Sequence, residues 1–120
     1  MHELSIAQSI VELAEQEARN RKANSIEELE LEIGVFAGIE WSALDFALES
    51  ATKGSMLENA RIVTQRIAGE GRCGDCERRF PVENFFTACP VCGSYAVKII
   101  KGKELRIKSL VISNNMNNPQ

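Results

Sequence analysis

The sequence predicts an α+β fold: two helices packed on a small, mainly antiparallel three-stranded sheet, with a cysteine module inserted before the last strand. Three observations predict it. Two stretches carry apolar residues at helical spacing. The segments IEELELEIGVF and KELRIKSLVI alternate apolar with charged side chains, as strands with one solvated face do. Two C-x-x-C pairs stand just ahead of the last alternating segment, so the module they define is inserted rather than appended.

The first helix is expected over Leu4 to Ala23, with Leu4, Ala7, Ile10, Val11, Ala14 and Ala18 on one face. Glu12, Glu15, Glu17, Arg19 and Arg21 fall on the other. Asn24 and Ser25 break that pattern. In the following strand Leu29, Leu31, Ile33 and Val35 point one way, and Glu28, Glu30 and Glu32 the other. Gly38 marks a turn. WSALDFALESATKG is a second helix with Trp41, Leu44, Ala47 and Leu48 inward, and Gly54 is its expected stop. ARIVTQRIAGEG is strand-like. In the last strand Leu105 and Ile107 share a face, and Arg106 and Lys108 take the other, placed to meet Glu30 and Glu32 if the strands pair.

With 120 residues, 44% of them hydrophobic and 26% charged, the chain has the composition of a soluble globular protein. Its apolar runs are too short to span a membrane, and its start lacks the basic n-region of a secretory signal. These features predict a cytoplasmic protein with reduced thiols. The expected organisation is an α+β domain of residues 1–69 plus 104–113, a cysteine module of residues 70–103, and a disordered tail of residues 114–120. Charge is uneven: residues 1–69 carry 12 acids against 6 bases, and residues 70–103 carry 4 acids against 6 bases. With a net charge of −3 the chain lacks the strong basic face of a nucleic-acid binder.

Cys73 and Cys76 enclose Gly-Asp, and Cys89 and Cys92 enclose Pro-Val. A two-residue gap lets both sulfurs of a pair face one ion, and two such knuckles close a tetrahedral Cys₄ shell, the arrangement of structural zinc. Gly74 and Gly93 are expected to supply the permissive dihedrals of the turns. Phe80, Phe85 and Phe86 are expected to form a small local core. Four thiolates leave no open position for Lewis-acid chemistry, so this is a structural zinc ribbon rather than a catalytic site.

The single histidine, His2, directly follows the initiator methionine. Enzymes that trim initiator methionines need a small second residue, so Met1 is expected to be retained. A free α-amine on Met1, the His2 amide nitrogen and the His2 imidazole can chelate one metal through fused rings. The Glu3 amide, or a group elsewhere, would be the fourth donor, and planar nitrogen donors select Ni(II) or Cu(II). A histidine at this position is also commonly a solvated terminal residue, and spacing alone leaves both readings open.

MHELSIAQSIVELAEQEA, EIGVFAGIEWSALDFALE, the C-x-x-C pairs and GKELRIKSL, taken in order across residues 1–112, resemble the HypA/HybF family of hydrogenase nickel-incorporation (maturation) proteins. The resemblance implies a cytoplasmic metallochaperone that carries Ni(II) as transient cargo. It would deliver the ion, with a nickel-handling accessory GTPase, to the [NiFe]-hydrogenase large-subunit precursor. Nickel would fall to Met1, His2 and Glu3, with Glu40 as a candidate supplementary ligand. Structural Zn(II) would fall to Cys73, Cys76, Cys89 and Cys92. Glu40 equally suits a helix N-terminus, where an acid complements the macrodipole. Some relatives bring a further histidine close to the zinc module, and this sequence has none.

Two other classes are weighed against that reading. A zinc-ribbon nucleic-acid module would use Arg72, Arg78, Arg79 and Phe80, but the acidic net charge opposes phosphate binding. An enzyme would need a Ser-His-Asp set built on the terminal His2, a P-loop, or a redox dithiol. The first has little support and the second is missing from the sequence. No enzymatic activity, nucleic acid or membrane is therefore expected. A module inserted before a returning strand invites strand exchange, so a monomer and a strand-swapped dimer both remain open.

Overall fold

The computed structural model describes residues 2–114. Met1 and residues 115–120 lie outside the described residues, and with them the expected amine ligand and most of the expected tail. In chain order the elements are α1 (Glu3–Asn20), β1 (Ser25–Gly34), α2 (Trp41–Ala51), β2 (Arg61–Ile67), β3 (Glu70–Cys73), β4 (Arg79–Pro81), β5 (Val97–Lys101) and β6 (Leu105–Ser113). They form two three-stranded sheets, ordered β2-β1-β6 and β4-β3-β5.

The chain divides into two compact units. The first takes the chain up to Leu31, then Ile39–Thr64, then the chain from Ile107; the second is Glu32–Gly38 with Gln65–Arg106. In the first unit α1 buries Ala7, Ile10, Val11, Ala14 and Ala18, a stripe at i, i+3, i+4 and i+7. That stripe packs on α2, which buries Leu44, Ala47 and Leu48. Leu29 and Leu31 of β1 are fully buried beside them, as the alternation predicts. The second helix ends at Ala51, earlier than the expected stop at Gly54; Thr52 is its C-cap, with the Thr52 hydroxyl donating to the Leu48 carbonyl at 2.8 Å. Gly54 serves the next turn, at φ 76°.

β1 and β6 run antiparallel: the Asn24 N–H donates to Ser113 O at 2.9 Å, and the Gly34 N–H to Glu104 O at 2.8 Å. On the other edge Ile26 N–H meets Met56 O and Val35 N–H meets Ile67 O, so β2 runs with β1 after the α2 crossover. Across the wet face Arg106 Nε lies 2.6 Å from Glu32, and Lys108 Nζ lies 3.7 Å from Glu30, the partners that alternation predicted. Three expected inner residues are not inside: Leu4, in the first turn of α1, is exposed, and so are two in the sheet. β1 stops at Gly34, so Val35 falls beyond the pleat and is exposed, and Leu105 is exposed at the start of β6.

In the second unit β3 pairs antiparallel with β4 and with β5. Its core is small: Cys73, Phe80, Val82 and Cys89 are buried, with Phe36, Val97 and Ile99 packed against them. Phe80 behaves as expected. Phe86 stands in solvent instead, and Phe85, also exposed, lays its ring against Phe36 with centroids 4.7 Å apart. Phe36 reaches this core because glycines let the chain pass close by. A Cβ on Gly34 would run into the Gly102 carbonyl, and Gly102 itself sits at φ 115° beside the Phe36 ring.

Removing buried side-chain volume should cost far more here than breaking a surface ion pair. Leu31→Ala is expected to lower the unfolding free energy of the first unit by about 2–5 kcal/mol, and Arg106→Ala by less than about 1 kcal/mol. Urea titrations followed by circular dichroism on the metal-loaded protein check both values.

Candidate metal centre

Each C-x-x-C pair is wrapped by the same turn. In the first, the Glu77 N–H donates to the Cys73 carbonyl at 2.9 Å, and the Cys73 N–H to the Arg78 carbonyl at 2.9 Å. In the second, the Gly93 N–H donates to the Cys89 carbonyl at 2.9 Å, and the Cys89 N–H to the Ser94 carbonyl at 2.8 Å. Closing the turn takes a left-handed residue straight after the second cysteine: Glu77 at φ 66° and Gly93 at φ 77°. Gly93 thus plays its expected role, but Gly74 does not. The left-handed position in the first knuckle is Glu77, and Gly74 instead makes room for the Ala96 carbonyl, 3.0 Å from where its Cβ would stand.

The turns aim amide hydrogens at the sulfurs. Asp75 and Cys76 N–H approach Cys73 Sγ at 3.3 and 3.4 Å, and Val91 N–H approaches Cys89 Sγ at 3.4 Å. All four sulfurs lie within 4.8 Å of one another; Cys73–Cys92 are 3.5 Å apart and Cys76–Cys89 3.6 Å. A tetrahedral zinc ion bound to thiolates at about 2.3 Å needs sulfurs ~3.8 Å apart, so the donor set fits such an ion. Cys73 and Cys89 are buried, while Cys76 and Cys92 are exposed.

Crowding four acids together separates their protonation. The Cys76 N–H, assisted by that of Asp75, pulls the Cys73 thiol down to about 6 against the opposing effect of burial. The N–H of Cys92, then that of Val91, lowers Cys89. The Ser94 N–H pulls Cys92 downward, but the Cys73 thiol and burial outweigh it and push Cys92 up to about 12. Cys76 is raised in the same way, its Arg78 N–H outweighed by burial and by the Cys89 and Cys73 thiols. A divalent cation among them reverses this balance and favours four thiolates.

At the other end of the chain, His2 is the exposed N-cap of α1. Its carbonyl accepts the Ile6 N–H at 2.9 Å, and its imidazole makes no cap hydrogen bond. The Glu3 side chain turns inward, and its carboxylate accepts the Glu40 N–H at 2.9 Å. Glu40 is the N-cap of α2: its carboxylate accepts the Ala43 N–H at 2.8 Å and the Ser42 hydroxyl at 2.9 Å. The Ala43 N–H, then the Ser42 hydroxyl, hold its carboxyl below the usual range. The structure thus links Glu3 to Glu40 through one hydrogen bond, with each carboxylate engaged by backbone. Among the described residues the four cysteines are the only group of three or more His, Cys, Asp and Glu side chains gathered closely enough to hold an ion.

Comparison with known proteins matches residues 1–112 to the family described as hydrogenase/urease nickel incorporation, metallochaperone, hypA. The chain belongs to the HypA family. It is similar to the hydrogenase maturation factor HypA of Parabacteroides distasonis, with 63% identity over 93% of this chain and 97% of that one. The same factor from Geobacter sulfurreducens is 42% identical over 93% and 99% of the two chains. Among solved structures, that of the Ni metallochaperone HypA from Helicobacter pylori superposes with a TM-score of 0.69 and 28% identity, covering 95% of this chain and 99% of that one. A second HypA solution structure gives a TM-score of 0.71 at 30% identity, covering 93% and 96%.

Two parts of this HypA-family site escape the sequence pattern. The bond between the Glu3 carboxylate and the Glu40 N–H spans 37 residues, and no periodicity encodes it. Phe36 follows a strand by two residues, where alternation says nothing about its partners. The positive φ of Glu77 has a faint signal, since it occupies the place that glycine takes after Cys92.

Substitutions at two positions test the local geometry. A left-handed non-glycine residue costs about 1–2 kcal/mol, so Glu77→Gly should keep or raise the thermal stability of the metal-loaded module, and Glu77→Val should lower it by a similar amount. The Glu77–Arg72 ion pair, 3.4 Å and exposed, should not mask the effect. For α2, Glu40→Ala should cost about 0.5–2 kcal/mol through the lost cap. Glu40→Gln retains an acceptor and should melt close to the parent.

Proposed function

We propose that this protein is a nickel metallochaperone of hydrogenase maturation: it holds Ni(II) at its N-terminus and passes it on, with a structural zinc site in the cysteine module. The observation that carries the reading is the exposed imidazole of His2, with no cap hydrogen bond, at the start of α1 in a chain of the HypA family. The nickel ligands in this reading are Met1 through its amine, His2 through its amide and imidazole, and Glu3 through its amide. Glu40 is the second-line candidate, and its carboxylate serves first as the α2 cap. Zinc belongs to Cys73, Cys76, Cys89 and Cys92, whose spacing suits a tetrahedral thiolate shell.

The action is binding and exchange, not catalysis. Nickel is cargo, held by donors that must each lose or withhold a proton, so affinity falls as pH falls. A receiver that draws the terminal donors away releases the ion. The receivers in this reading are an accessory GTPase and the hydrogenase large-subunit precursor, met in the cytoplasm by a protein none of whose described helices is long and apolar enough to cross a membrane. The roles divide between a nickel-binding α+β domain of residues 1–69 plus 104–113 and a zinc ribbon of residues 70–103.

Tag-free protein starting at Met1 should hold one tight zinc and take up one nickel per chain. His2→Ala, or one residue added before Met1, should abolish nickel uptake and leave zinc in place. Nickel affinity, measured by chelator competition, should be weaker at pH 6 than at pH 8. Equal nickel binding by His2→Ala would move the cargo site elsewhere, and equal affinity at the two pH values would remove the amides from the ligand set.

A further inference from the structure

The outer face of the second sheet collects positive charge. Gly71 and Cys73 of β3 are buried, so the side chains of Glu70 and Arg72 stand on the opposite face. The strand register sets Arg79 of β4 and Lys98 of β5 directly opposite Arg72, one on each side. Directly opposed side chains share a face, so three cations stand in one row across three strands, an arrangement that is destabilising by itself. The next row, Pro81, Glu70 and Lys101, adds a fourth cation and one acid. Glu70 is shared between Arg79 at 3.1 Å and Lys101 at 3.8 Å, and Glu77 takes Arg72 at 3.4 Å. Lys98 is exposed and makes no ion pair among the described residues. Two acids against four cations leave the face positive. The first sheet shows the opposite arrangement, with Arg106 and Lys108 each set against a glutamate of the neighbouring strand. A groove of about 490 Å³ adjoins the second row, lined among others by Arg66, Glu70, Arg79, Pro81 and Lys101.

We propose that this face docks an acidic helix of a partner protein, its carboxylates at i, i+4 and i+7 set against Arg79, Arg72 and Lys98. Neighbouring strands lie about 4.8 Å apart, so the row spans roughly 10 Å. Side chains one helical turn apart lie about 5–6 Å from each other, and seven residues advance about 10.5 Å. One face of a helix crossing the strands therefore meets all three cations. Charge complementarity selects this occupant. A single-stranded nucleic acid is held by aromatic platforms for its bases, and the one aromatic residue of these strands, Phe80, is buried. A duplex needs a long basic track, and a chain of net charge −3 offers only this short row. A second copy of this chain presents Asp45 and Glu49 one turn apart on α2, but Thr52 and Lys53 stand where the third acid would fall. A row of mutually repelling side chains persists in a fold where binding, rather than stability, calls for it. The face belongs to the cysteine module, and its docking role is independent of the nickel reading above.

The test uses tag-free, zinc-loaded protein without nickel and two labelled helical peptides of roughly four turns. One carries glutamate at i, i+4 and i+7, and the other carries glutamine at those three positions. Fluorescence anisotropy should show binding of the glutamate peptide alone, weakened by added salt. Lys98→Glu should weaken it by roughly fivefold or more, and Arg79→Gln, at the other end of the row, should weaken it too. Lys98→Arg should bind as the parent does. Arg61→Glu, the same charge change at an exposed position of the first unit, should leave binding unchanged. Lys98→Glu also gives Arg72 an opposite charge across the strand, so its thermal midpoint and zinc content should equal or exceed the parent's while binding falls. Equal binding of the two peptides, binding of neither, unchanged affinity in Lys98→Glu, or an equal loss in Arg61→Glu overturns the proposal. A single-stranded oligonucleotide that binds more tightly than the glutamate peptide, and loses that binding in Lys98→Glu, overturns it in favour of nucleic acid. Self-association in sedimentation that Lys98→Glu abolishes overturns it in favour of a second copy.

Discussion

Four thiols gathered within 4.8 Å cannot all be ionised unless a cation lies among them, and the second unit is organised around that constraint. Its own hydrophobic core is four buried residues, two of which are the ligands Cys73 and Cys89. A core of that size is far below what holds a domain together unaided. The knuckle turns, the left-handed Glu77 and Gly93, and the amide hydrogens aimed at sulfur make sense as the walls of one ion site. The short strands β3, β4 and β5 are pinned by the same site, since Cys73 ends β3 and Cys89 sits in its core.

The first unit is built in the opposite way, by apolar burial without a metal. Leu29, Leu31, Leu44 and Leu57 are buried almost completely, and the two helices contribute small residues where they approach. Two polar residues are buried in this unit: Thr52, which caps the end of α2 with its hydroxyl on the Leu48 carbonyl, and Glu3, beside the candidate nickel terminus. Glu3 is 7% exposed, yet its carboxylate has the Glu40 N–H as partner, so an acid at the first position of α1 is tied to the cap of α2. A terminus that would otherwise fray is thereby anchored one residue after His2, while the imidazole itself stays in solvent.

The sequence was most legible where chemistry is local. Helical spacing located α1 and α2, alternation located β1 and β6, and the charge pattern foresaw the Arg106–Glu32 and Lys108–Glu30 pairs. The C-x-x-C spacing foresaw that all four cysteines would gather at one point. Strands of three to five residues, such as β3, β4 and β5, are too short for any period to emerge. Aromatic residues near a cysteine knuckle could not be ranked by composition, because packing decides between them: Phe80 is buried, Phe86 is exposed, and Phe36 arrives from the far end of β1. Backbone partners of carboxylates, as at Glu3 and Glu40, depend on which chain segments meet and leave no trace in local spacing.

In the proposed function two metals differ by donor chemistry: nitrogen at a chain terminus for the cargo, sulfur in a closed shell for the structural ion. X-ray absorption at the nickel and zinc edges of one doubly loaded sample tests that separation most directly. Nickel should show nitrogen and oxygen neighbours only, with imidazole scattering from one histidine, and zinc should show four sulfurs. Sulfur in the nickel shell would place the cargo in the cysteine module and contradict the account.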